Sequence, residues 1–193
     1  MTALEFWFDF RSPYSYLAHS QLETLPVRPV FRPMDVLEVM KLVNNTPTTI
    51  VCEVKGRYAG QDLRRWTARY GVAFAPNPAM RQFDGRRLLR ATLLAEDAGE
   101  SARAVAALFP AMWAGRDDLG SAEAVAAALA RGGLQLDPAA IDDPALDARL
   151  TAASEAAAAK GVFGAPSFIV GDDLYFGNDR LDFLRERLAG EPA

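Results

Sequence analysis

The chain has one cysteine, Cys52, and one histidine, His19, among 193 residues. A single cysteine rules out an internal disulfide, and with it disulfide exchange by the protein's own dithiol. One histidine and one cysteine also leave a tetrahedral zinc site without enough ligands, so no metal is expected. Cys52 stands outside any CxxC context and reads as a buried or half-buried bystander, and His19 reads as a helix-surface residue. The chain lacks a basic block and any interleaving of aromatic with basic residues. With 21 Lys+Arg against 25 Asp+Glu and a net charge of −4, nucleic acid is not an expected partner. No apolar run is long enough to span a bilayer, so no membrane is expected either. The first residues carry no basic leader region and pass into a strand by Leu4. A secretory leader is therefore not expected, and the cytoplasm is the expected compartment.

What the chain does have is apolar substance. Hydrophobic residues make up 50% of it, enough for one globular domain with a sizeable insertion. Leu4-Glu5-Phe6-Trp7-Phe8-Asp9-Phe10 reads as a strand, and Ser12-Pro13 opens a helix with Tyr16, Leu17, Leu22 and Leu25 roughly at helical spacing. Val27 to Pro33 is a second strand candidate. Near the other end, Ser167-Phe168-Ile169-Val170 and Leu174-Tyr175-Phe176 flank a Gly171-Asp172-Asp173 turn and read as a hairpin. Gly177-Asn178-Asp179 then caps a last helix with Leu181, Leu184 and Leu188 on one face. Residues 40 to 140 read as Ala-rich helices. Asp62 is expected to cap one that Gly71 stops, Pro110 to kink or end another, and Asp143-Pro144 to start a long one. The order predicts an α/β, thioredoxin-like fold with a large all-helical insertion. Residues 1–40 and 141–193 form a discontinuous thioredoxin-like domain and 41–140 the inserted lobe.

The chemistry-bearing positions follow from that order. Ser12 and Ser15 sit at i and i+3 of a helix start after a strand, where a thioredoxin-type redox site carries two cysteines. Hydroxyls there keep the positive end of the helix but cannot form a disulfide, so the chemistry uses a hydroxyl or a thiol brought from outside. Gly164-Ala165-Pro166-Ser167 joins the long helix to the third strand, where this fold places a cis proline. A cis Pro166 exposes the N–H and carbonyl of Ala165 to pair with a bound peptide. Asn178 and Asp179 are either plain caps or a ligand site. An Asp at a helix start can hold an α-ammonium while the helix N–H groups hold the carboxylate, which suits a γ-glutamyl amino acid.

Four stretches together carry a family resemblance: Phe8 to Ala18 (Phe-Asp-Phe-Arg-Ser-Pro-Tyr-Ser-Tyr-Leu-Ala), Lys55-Gly56-Arg57-Tyr58, Asp62-Leu63-Arg64-Arg65-Trp66, and Gly161 to Phe168 with Gly177 to Leu181. The chain resembles 2-hydroxychromene-2-carboxylate isomerases, which are close to kappa-class glutathione transferases and, more distantly, to DsbA-like oxidoreductases. The resemblance implies glutathione as cofactor, a small aromatic acid as substrate and a homodimer. It implies that Ser12 stabilises the glutathione thiolate, that Ala165 and Pro166 meet the cysteinyl backbone, and that Phe176, Gly177, Asn178 and Asp179 surround the γ-glutamyl end. It places Lys55, Arg57 and Tyr58 over the site as substrate ligands, their bland alternative being a solvated basic turn, and Asn77 beside the pocket. A kappa-like glutathione transferase or peroxidase is the neighbouring alternative, and a non-catalytic thioredoxin-fold binding module is the other.

Overall fold

The computed structural model describes residues 3–115 and 117–190. Strand β1 (Leu4–Phe8) pairs in parallel with β2 (Val30–Pro33) and antiparallel with β3 (Ser167–Val170), which pairs antiparallel with β4 (Asp173–Phe176). The order across the sheet is β2-β1-β3-β4, so the two ends of the chain build it. The helices are α1 (Pro13–His19), α2 (Val36–Leu42), α3 (Thr48–Val51), α4 (Glu53–Tyr70), α5 (Arg86–Asp97), α6 (Ser101–Trp113), α7 (Ala122–Arg131), α8 (Pro138–Ile141), α9 (Pro144–Ala159) and α10 (Leu181–Ala189). This is the α/β, thioredoxin-type architecture that the sequence order predicts.

Strand alternation sorts β1 onto two faces. Phe6 and Phe8 face one layer, where Phe6 stacks on Phe168 across the register at 5.0 Å and Phe8 meets Phe109 of α6 at 5.6 Å. Trp7 faces the other layer with Ile169, Met34, Val39 of α2 and Ala157 of α9. Phe168 is fully buried, and truncating such a ring to Ala typically costs about 3–5 kcal/mol. Leu88, Leu108, Met112 and Leu129 of the helical lobe join the same cluster as Phe6 and Phe8, so sheet and lobe share a core.

Several local expectations are corrected. Asp62 does not cap a helix. It lies inside α4, which starts at Glu53, and Lys55 to Tyr58 are helical rather than a turn. The Glu53–Arg57 pair, spaced i,i+4, supports that first stretch against its two glycines. Pro110 does not end α6, because buried Ala111, Met112 and Trp113 hold one more turn beyond it. A 3-10 turn, Asn178–Arg180, is inserted before α10. His19 is not a surface residue: its ring is half-buried 5.1 Å from that of Phe109, and burial holds its pKa down to about 4. Cys52 is half-buried at the α3–α4 junction. Among the described residues, no helix is long and apolar enough to cross a membrane.

Candidate active site

Ser12 closes a tight turn out of β1. Its N–H donates to the Asp9 carbonyl at 3.0 Å, and its extended backbone (φ −90°, ψ 112°) hands the chain to Pro13 and α1. Its Oγ accepts the Ser15 N–H at 3.1 Å, satisfying one orphan donor of the helix start. The same hydroxyl donates to the Ala165 carbonyl at 3.0 Å. The Tyr14 N–H has no acceptor among the described residues, so an unpaired donor at the positive end of the helix lies beside Ser12. Ser15 differs: it is fully buried, and its Oγ has no partner among the described residues. Of the two serines, only half-buried Ser12 can reach a ligand.

The second wall is the loop before β3. The Ala165–Pro166 bond is cis. The Pro166 carbonyl accepts the Gly177 N–H at 2.9 Å, and buried Ser167 Oγ donates to the Gly164 carbonyl at 2.9 Å. The start of α1, the proline loop and the turn after β4 are thus joined in series. At Gly177 (φ 100°) an added Cβ would lie 2.4 Å from Asp179 Oδ1, so only glycine lets that carboxylate fold back over the turn. Asp179 is half-exposed and pairs with Arg180 at 2.6 Å. The N–H groups of Asn178 and Asp179 have no acceptor among the described residues. Phe163 and Phe176 pair their rings at 4.6 Å, and both are partly exposed.

Helix α4 forms the third side. None of its side chains is fully buried, and two phenols tie it down. Tyr14 donates to Asp62 Oδ2 at 3.0 Å, and Tyr70 donates to the Asn178 carbonyl at 3.1 Å. Burial first, then the Asp62 hydrogen bond and charge, push the Tyr14 pKa up, so this phenol stays protonated. Helical periodicity sorts the residues expected over the site. Lys55 and Tyr58 share the face of Asp62, which is turned to α1, whereas Arg57 points about 140° away and pairs with Glu53 at 2.5 Å. Lys55 has no ion-pair partner among the described residues. Asn77 is 2% exposed; its amide donates to the Asp117 carbonyl and accepts from the Ala79 N–H, which commits it to the chain around α6.

A DsbA-like thioredoxin-domain model matches residues 3–189. The 2-hydroxychromene-2-carboxylate isomerase of Sphingobium xenophagum is 31% identical, over 96% of this chain and 97% of the relative. The enzyme of that name from Pseudomonas putida is 29% identical, over 96% and 93%. The chain belongs to the 2-hydroxychromene-2-carboxylate isomerase family of DsbA-like thioredoxin proteins. A solved structure of a 2-hydroxychromene-2-carboxylate isomerase superposes with TM-score 0.82 at 25% identity, covering 97% of this chain and 95% of that one. A solved structure from Streptomyces coelicolor, described as a probable DsbA oxidoreductase, shares the fold with TM-score 0.73 at 19% identity.

In this isomerase-family chain, sequence reasoning passed over Tyr14, Trp66, Arg69 and Tyr70. Trp66, Arg69 and Tyr70 line a cavity of about 260 Å³ with Asn178, Asp179 and Arg185. The available signal was weak. Tyr14 and Trp66 stand in recognisable motifs, but helix spacing alone explains both as packing residues.

Proposed function

We propose that this protein is an isomerase that interconverts 2-hydroxychromene-2-carboxylate and its trans ring-opened isomer, with glutathione as cofactor. The observation that carries the reading is Ser12. Its hydroxyl stands at the start of α1, beside an unpaired Tyr14 N–H and across from the Ala165 carbonyl, in a chain of the isomerase family.

The donors and acceptors here fit glutathione. Ala165 presents an N–H without an acceptor among the described residues, together with its carbonyl, which suits the backbone of a cysteinyl residue. Asn178 and Asp179 offer unpaired N–H groups for a carboxylate, and the Asp179 carboxylate suits the neighbouring ammonium. Bound glutathione supplies a thiol whose reversible addition to a conjugated double bond permits rotation about it.

The chain's own part is positioning and charge. The Ser12 hydroxyl turns from the Ala165 carbonyl to donate to a sulfur anion, and the positive end of α1 favours the negative charge there. Lys55, an exposed cation on the face of α4 turned to α1, holds the substrate carboxylate. Phe163 and Phe176 cover the site's apolar side. Among the described residues, the Ser12 hydroxyl bonds only to the Ala165 carbonyl and the Ser15 N–H, so none of them serves as a base that would make Ser12 a nucleophile.

The deciding experiment is an absorbance assay with 2-hydroxychromene-2-carboxylate, with and without glutathione. Turnover that needs glutathione without consuming it is expected. Stoichiometric consumption with an electrophile would instead make the protein a transferase, and turnover without glutathione would refute the cofactor.

A further inference from the structure

The turn that presents Ser12 is held by a buried charge cluster. Asp9 is fully buried. Its backbone carbonyl accepts the Ser12 N–H at 3.0 Å, while its Oδ1 accepts the Arg11 N–H at 2.8 Å. The Arg11 side chain folds back onto the same carboxylate, Nη2 lying 2.5 Å from Asp9 Oδ2. That nitrogen also donates to Asp35 Oδ1 at 2.6 Å. Asp35 caps α2, and the Val36 N–H of that helix donates to Asp9 Oδ2 at 3.0 Å. Gly85 closes the cage: a Cβ there would lie 2.8 Å from Arg11 Cδ. Burial alone would lower the Arg11 pKa, but Asp9 and Asp35 overcome it, so the guanidinium stays charged throughout.

Such a cluster is costly to bury, and burial of paired charges is weak evidence of stabilisation. Its geometry suits another purpose. Every bond of Asp9 and Arg11 named above ends on the three-residue path into Ser12 or on the element beside it. We propose that Asp9 and Arg11 are positioning residues for Ser12, fixing the turn so that its hydroxyl stands at the reacting sulfur. The assignment rests on the glutathione reading for its kinetic consequence, but not for its structural one.

Asp9→Asn and Arg11→Lys, made in the full chain, test it with two readouts. The first needs no ligand: hydrogen exchange of the backbone across residues 9–16 should quicken about tenfold or more, with α7, which the cluster does not touch, unchanged, because only the local opening is eased. The second is kinetic: kcat should fall on the order of tenfold to a hundredfold, as displacement of a reacting group does. KM should hold within about twofold, and neither substitution should lower kcat further in a Ser12→Ala background. A uniform rise in exchange with unchanged kcat would make the cluster a stability element and overturn the proposal. An equal loss of kcat in the Ser12→Ala background would overturn it too, as would failure of both variants to fold. If the wild type neither binds glutathione nor turns over, the functional reading fails, and the exchange result still decides the clamp.

Discussion

Ser12 and Ala165 lie 153 residues apart in the chain and meet through a single hydrogen bond, the Ser12 hydroxyl donating to the Ala165 carbonyl at 3.0 Å. The bond joins the start of α1 to the loop with the cis proline, so one side chain both caps a helix and spans the site. Ser12→Ala should raise the pKa of bound glutathione and slow turnover. Loss of one donor from an oxyanion-type site typically costs about 2.7–4 kcal/mol, an upper guide here. The fold should survive, since a lost N-cap costs about 0.5–2 kcal/mol. Titration of the thiolate absorbance in both proteins checks this, and an unchanged pKa with full turnover would reduce Ser12 to a helix cap.

Asp179 is the second test. Its carboxylate folds over Gly177 and, among the described residues, is paired only with its neighbour Arg180. Asp179→Ala should weaken glutathione binding by about 1.5–3 kcal/mol, the worth of a charged hydrogen bond. Calorimetry reads the affinity directly, and the same dissociation constant in both proteins would remove Asp179 from the site.

Tyr14 and Asp62 hold α4 against α1. Tyr14→Phe keeps the ring and deletes that bond, so stability should fall by about 1 kcal/mol. Backbone exchange should quicken in α4 more than in α1, because α4 has no fully buried side chain to hold it otherwise. Equal protection of α4 in the two proteins would show that the phenol does not tether the helix.

His19 sets a pH dependence. Burial against Phe109 and Phe31 lowers its folded pKa from 6.5 to about 4, so the unfolded chain takes up the proton first. The contribution of the neutral ring is therefore whole above pH 6.5 and is lost as the pH falls toward 4. Its ceiling is about 3 kcal/mol, at 1.36 kcal/mol per pKa unit. Urea unfolding at pH 7 and pH 4.5 should show a larger loss in the wild type than in His19→Phe. Parallel losses would mean that the ring titrates normally in the folded protein.

Much of this protein is local and therefore legible in its sequence. Ser12-Pro13 and Asp143-Pro144 cap their helices as N-cap and first-turn pairs do, because the capping bond reaches only two or three residues. The strands at the two chain ends announce themselves through short apolar runs and through the Gly171 turn. Those elements, in that order, determined the fold class and pointed to Ser12, Ala165 and Asp179. What tertiary structure decided lies where two distant segments compete for one residue. Asp62 has the side chain of a cap, yet it sits inside α4 with its carboxylate on Tyr14. Asn77 stands before a proline like a pocket loop, but its amide is taken by Asp117 and Ala79. His19 looks like a helix-surface residue until Phe109 of α6 closes over it. In each case the outcome depends on a partner whose distance in space no spacing rule encodes, since packing and hydrogen-bond satisfaction act between whole elements rather than along the chain.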